Sequence, residues 1–224
     1  MKLAALFSGG KDSAYAVWKA INAGHEVKYL ISMISENPDS YMFHYPNVEL
    51  TLIQSMASGI RLVTKGTKGI KEKELDDLET VLKDMKDIDG IIAGALASKY
   101  QKERVEKICK KLGLKLFSPA WGSDPEKYWK ELLDNGFKVM ITKVACDGLG
   151  KEWLGKIIDE KSLEELKKLA KKYRFHLAFE GGEAESFALD TPFFKKKIKI
   201  TEGKIQWYGD SGIYKIEKIK LLDK

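Results

Sequence analysis

Short apolar runs alternate with amphipathic stretches through the first 137 residues. Residues 2–7 form a brief apolar run, which predicts a strand. Residues 11–23 then place Ala14, Val17, Trp18 and Ile21 at helical spacing, and Gly24 closes that helix. The cycle repeats: strands at 27–34, 60–64, 90–94 and 114–118, and helices at 48–58, 72–86, 98–112 and 125–135. In the 98–112 helix, Ser98 and Gln101 make a capping pair, and Val105, Ile108, Cys109 and Leu112 form the inner face. Residues 35–47 are irregular and aromatic-rich, with His44 set between Phe43 and Tyr45. Five strands alternating with helices predict an α/β fold, a parallel sheet covered on both faces.

The pattern changes near residue 138. Residues 138–145 read as a strand, followed by a glycine-rich turn, and Ser162 and Glu165 read as the cap of a lysine-rich helix ending at Tyr173. His25 falls in a turn and His176 in a strand. Three further strand-like runs, at 196–201, 204–208 and 212–219, are separated by Glu-Gly and Gly-Asp-Ser-Gly turns. The chain therefore divides into residues 1–137 and a smaller α+β domain, residues 138–224, whose sheet should be partly antiparallel.

Composition bounds the function. The 224 residues are 44% hydrophobic and 32% charged, enough for a sizeable core without staples. Two cysteines, Cys109 and Cys146, make neither a disulfide framework nor a metal cluster, which fits a reducing, cytoplasmic setting. The apolar N-terminal run is too short for a signal segment, and no stretch approaches the roughly 20 apolar residues that span a bilayer. A net charge of +6 admits anionic ligands.

The first strand runs into Ser8-Gly9-Gly10-Lys11-Asp12-Ser13, and a helix follows at once. Adjacent glycines let the backbone turn sharply and approach an anion without a Cβ clash. The helix N-terminus points N–H groups at that anion, and the dipole adds to the attraction. Ser8 and Ser13 offer hydroxyls and Lys11 a point charge. A carboxylate beside a phosphate needs a cation between them, so Asp12 predicts Mg²⁺. The spacing is neither G-x-x-x-x-G-K-[ST] nor G-x-G-x-x-G. It matches the SGGxDS pyrophosphate loop of the N-type ATP pyrophosphatases.

Two further segments stand out. Gly94 to Glu106, with Ser98, Tyr100, Gln101 and Arg104, lies at the C-terminal end of the fourth strand, the edge where open parallel sheets bind ligands. Glu180-Gly181-Gly182-Glu183-Ala184-Glu185-Ser186 joins three carboxylates and two glycines to a short apolar strand. With the loop at 8–13, these segments resemble the diphthine–ammonia ligase family across essentially the whole chain, in its short archaeal form without the C-terminal extensions of eukaryotic members. Ala120-Trp121 replaces a common Leu-Trp, and Ser186 a common Thr.

The resemblance implies a HUP-type N-terminal sheet and an ATP- and Mg²⁺-dependent ligase. In such a reaction a carboxylate attacks the α-phosphorus of ATP, pyrophosphate leaves, and free ammonia displaces AMP. The implied partner is elongation factor two bearing diphthine, which becomes diphthamide. Lys11, Asp12 and Arg104 are the implied catalytic residues. Ser8 to Ser13, Gly94, Ser98 and the backbone near Ser32 and Met33 are assigned to ATP. His44, Tyr100, Gln101, Arg104, Glu180, Gly181, Gly182, Glu183, Glu185 and Ser186 are assigned to the protein substrate. Diphthine carries a trimethylammonium group, so Glu183, Glu185 and nearby aromatics suit its cation. Aromatic-rich surface segments suggest a homodimer.

Two other readings compete. One keeps the loop but adenylates a tRNA base; such enzymes usually show paired CxxC cysteines or an RNA-binding domain, and neither is here. The other is a non-catalytic nucleotide sensor, against which Asp12 counts.

Overall fold

The computed structural model describes residues 1–36, 47–70, 73–96 and 98–224. His44 lies outside the described residues, as does the Tyr100 side chain. The first sheet is built from β1 (Lys2–Leu6), β2 (Glu26–Ser35), β3 (Arg61–Thr67), β4 (Gly90–Ile92) and β5 (Lys115–Phe117). Its order is β3-β2-β1-β4-β5 and every pairing is parallel. Its helices are α1 (Lys11–Asn22), α2 (Thr51–Ser58), preceded by a 3₁₀ turn at Val48–Leu50, α3 (Lys73–Asp84), α4 (Lys99–Leu112) and α5 (Pro125–Asp134).

β1 is central, and Leu3, Ala4 and Ala5 are wholly buried because helices cover both faces. On one face, Leu78 and Leu82 of α3 meet Val105, Ile108 and Cys109 of α4. On the other, Ala14, Tyr15, Val17 and Trp18 of α1 join Tyr128, Trp129 and Leu132 of α5. That second cluster continues into Val139, Ile141, Ala184 and Ala188, so one core ties the two halves of the chain together. Among the described residues no helix is long and apolar enough to cross a membrane.

The second sheet has β6 (Lys138–Val144), β7 (Ala184–Asp190), β8 (Lys196–Trp207) and β9 (Gly212–Asp223), with α6 (Glu160–Tyr173) between β6 and β7. Its order is β7-β6-β9-β8, and all its pairings are antiparallel, more uniform than the expected partly antiparallel sheet. The two predicted runs at 196–201 and 204–208 are one strand. Glu202-Gly203 makes no turn; it shifts the register while pairing with β9 continues. Gly203 leaves room there for the Tyr214 ring, which a Cβ would displace.

Two local readings are corrected. The cap of α6 is Asp159, whose carboxylate accepts the Ser162 N–H while Ser162 Oγ accepts the Asp159 N–H, both at 2.8 Å. Glu165 takes no part in that cap. His176 is not in a strand: Arg174 and Phe179 both adopt positive φ, so residues between α6 and β7 follow a turning path.

Candidate active site

The chain leaves the sheet after Phe7, whose N–H donates to Ile31 O at 2.8 Å. Gly9 takes φ of +82°, a left-handed turn that favours glycine, and Gly10 caps α1 in an extended conformation. Ser8 Oγ accepts the Gly10 N–H at 3.4 Å and lies 3.3 Å from Ser13 Oγ, which also donates to Gly10 O at 3.1 Å. A Cβ on Gly10 would sit 3.1 Å from Ser186 O.

Two distant elements hold this corner. Along β7, Ala188 N–H donates to Gly9 O at 2.9 Å, and Ser186 Oγ accepts the Lys11 N–H at 3.1 Å. From α2, the wholly buried Gln54 donates through Nε2 to both Gly9 O and Ala188 O at 2.8 Å. One amide thus rivets the loop to β7.

Lys11 turns inward. Its side chain is 3% exposed, and its ammonium donates to Ala178 O at 2.7 Å and to Asp12 Oδ2 at 2.9 Å, over the rings of Phe179 and Trp129. Trp129 in turn donates through Nε1 to Leu177 O at 2.9 Å, fixing the turn that supplies the Ala178 carbonyl. Asp12 is 31% exposed at the mouth of the corner. Its Oδ1 accepts a 2.7 Å hydrogen bond from Tyr128, which is fully buried in α5. Burial, with Asp12 beside it, pushes the Tyr128 hydroxyl well above its ordinary pKa, so it remains a donor. Tyr15 packs edge-on against Tyr128 at 4.9 Å and donates to Glu131 at 2.6 Å, which aligns α5 on α1.

The second and third segments meet each other here. Glu180 accepts the N–H of Leu96 at 3.4 Å and that of Ser98 at 3.1 Å. Ser98 caps α4 as predicted, its Oγ accepting the Gln101 N–H. Gly94 packs onto the first turn of α1: a Cβ there would lie 2.7 Å from Asp12 C and O and 2.8 Å from Ser13 N. Gln101 and Arg104 are half-buried and share one face of α4.

The three acids have separate surroundings. Glu183 folds back, accepting the His176 and Gly181 N–H groups at 2.8 Å each. Glu185 pairs with Lys143 at 3.2 Å. Burial raises its carboxyl pKa, against the pull of Lys143 and Lys11. Gly182 turns with φ of +84°. Ser32 is wholly buried and donates to Phe7 O at 2.7 Å, and the Met33 side chain is in the core, so neither side chain faces the loop.

Sequence reasoning missed Gln54 and Tyr128. Gln54 had a legible signal: α2 buries Thr51, Gln54, Ser55 and Ser58 while exposing Leu52 and Met56, a reversed polarity that marks a helix serving polar contacts. Tyr128 reads as one more aromatic on an apolar face.

Residues 1–116 match the diphthamide synthase N-terminal domain and residues 124–222 its C-terminal domain. The chain belongs to the diphthamide synthase family. It is 32% identical over all of its length to a human protein named diphthine–ammonia ligase, covering 91% of that protein, and 35% identical over 89% of its length to the mouse protein of that name. The fission yeast relative, 33% identical, is longer: the chain matches 37% of it. A large additional region is thus not general among the eukaryotic relatives. A solved chain titled a predicted subunit of tRNA methyltransferase, from Methanocaldococcus jannaschii, covers 85% of this chain and 97% of its own length with a TM-score of 0.47 at 16% identity.

Proposed function

We propose that this chain makes diphthamide: it activates the carboxylate of diphthine on elongation factor two with ATP and lets ammonia displace AMP. The observation that carries the reading is the Ser8–Ser13 corner, riveted by Gln54 and Ser186 in a chain whose relatives bear the ligase name. The carboxylate oxygen bonds to the α-phosphorus and the bond to the β-phosphate oxygen breaks. Ammonia then attacks the acyl carbon, AMP leaves, and a proton is released.

The chain's residues divide that work. An α-helix cannot pair its first N–H groups internally. Those of Gly10 and Lys11 go to Ser8 and Ser186, leaving those of Asp12 and Ser13 for the departing pyrophosphate. Lys11 acts from beneath, its buried charge adding to the positive potential without standing at the surface. Asp12 is the candidate Mg²⁺ ligand. Mg²⁺ is commonly held by one or two carboxylates with phosphates and water, and a single part-exposed carboxylate beside an anion corner fits that pattern. A bound Mg²⁺ would neutralise charge on the leaving group.

Backbone groups alternate sides along a parallel strand. Ile31 faces β1, so Met33 presents its N–H and C=O to the same side, just past the end of β1. We assign the adenine there. Arg104, with Gln101, is assigned to the diphthine carboxylate at the N-terminal end of α4. Residues 1–137 serve ATP and residues 138–224 complete the substrate side, in a cytoplasmic enzyme.

The test is incubation with ATP, Mg²⁺, ammonium and diphthine-bearing elongation factor two. AMP release, with the mass change of a hydroxyl replaced by an amino group, is expected. Asp12→Ala should remain folded and release no AMP. AMP release that depends on tRNA instead would replace this reading with base adenylation, and ADP without AMP would end it.

A further inference from the structure

Among the three carboxylates of the 180–186 segment, Glu185 is the one with an oxygen left over. Both oxygens of Glu180 and of Glu183 accept backbone N–H groups. In Glu185, Oε1 pairs with Lys143, whereas Oε2 is buried with no hydrogen-bond partner. The side chain is only 16% exposed. At the same place the β6–β7 ladder shifts register between Ile141 and Lys143, and the intervening Thr142, wholly buried, also has an unpartnered Oγ1. A buried oxygen left bare costs about 1–3 kcal/mol, more when charged, so each calls for a donor from water or from a ligand.

The ligand's chemistry follows from these atoms. It must donate hydrogen bonds, be small, and not be an anion. A trimethylammonium group has no N–H to donate. A phosphate would meet a carboxylate. Water and ammonium both meet these conditions; ammonium alone also brings the positive charge that matches a carboxylate, and the overall reaction of the proposed ligase consumes ammonia. The place also fits: Lys11 of the phosphate corner lies close enough for its charge to act on the Glu185 carboxylate.

Resting on the ligase reading, we propose that Glu185 Oε2 is the docking and deprotonation point for the ammonia co-substrate, with Thr142 at its side. Ammonium gives one proton to the Glu185 carboxylate and becomes ammonia. The nitrogen lone pair then forms the bond to the acyl carbon as the bond to AMP breaks. The proton shed by the new amide and the one held by Glu185 pass to solvent.

The experiment varies ammonium concentration in the full enzyme assay. Glu185→Gln keeps the shape but loses the charge and the proton acceptor. The Michaelis constant for ammonium should rise at least tenfold, while that for ATP stays within about twofold. Hydroxylamine, uncharged at neutral pH, should lose less in this variant than ammonium does. Glu185→Asp keeps the charge, and should fold and show a smaller rise for ammonium alone. If neither variant changes the ammonium constant, or if the ATP constant rises in step, the assignment falls while the ligase reading stands. No ammonium-dependent AMP release by the wild type would overturn both.

Discussion

Tyr128 donates a 2.7 Å hydrogen bond to Asp12 across 116 positions of sequence. The other oxygen of the carboxylate is held by Lys11 at 2.9 Å, so the side chain is clamped from two sides and aimed along one direction. A hydrogen bond to a charged group contributes about 1.5–3 kcal/mol, and each 1.4 kcal/mol lost from the transition state slows turnover tenfold. Tyr128→Phe should therefore lower kcat about tenfold or more. The Michaelis constant for ATP should change little, and so should the melting temperature, because the ring still packs against Tyr15. Equal kcat for the two proteins would remove Tyr128 from the mechanism.

Gly94 shows how closely two segments approach. A methyl group there would lie 2.7 Å from the Asp12 carbonyl and 2.8 Å from Ser13 N, both backbone atoms of α1 that cannot step aside. Gly94→Ala should push the first turn of α1 away from the anion corner. Nucleotide affinity, followed by calorimetry, should fall at least tenfold, with a clear loss of thermal stability.

Gln54 contributes no chemistry, yet it holds Gly9 O and Ala188 O with one amide group. Gln54→Leu preserves volume but removes a buried donor from two carbonyls, of which Gly9 O keeps the Ala188 N–H, for a loss of about 1–3 kcal/mol in all. A lower urea midpoint is expected, together with weaker ATP binding. Loss of stability alone, with normal ATP affinity, would show that the loop keeps its shape without the rivet.

Both thiols should be sluggish. Burial pushes Cys109 and Cys146 up to about 11 from an ordinary 9.0, and nearby acids, Glu106 for the first and Glu183 and Asp147 for the second, add to the rise. Only the thiolate is alkylated. At pH 8, iodoacetamide should label the folded protein about a hundredfold more slowly than the urea-unfolded chain. The sign for stability follows: the unfolded chain releases these protons first, so as pH climbs from 9 towards 11 these thiols make the fold progressively less stable.

The order of strands and helices through residue 137, the glycine corner between β1 and α1 and the Ser98 cap were written in the sequence. Each depends on contacts within a few residues: a periodic apolar stripe, two glycines between a strand and a helix, a hydroxyl beside the third N–H of a turn. The tertiary structure decided everything that spans the chain. It turned Lys11 inward to Ala178, set Tyr128 on Asp12, and brought Ser186 to Lys11 across 175 positions. It also separated three similar glutamates, giving backbone N–H groups to Glu180 and Glu183 and a buried, half-answered site to Glu185. Spacing along the chain carries no record of such meetings, because they arise from how two sheets pack around one core.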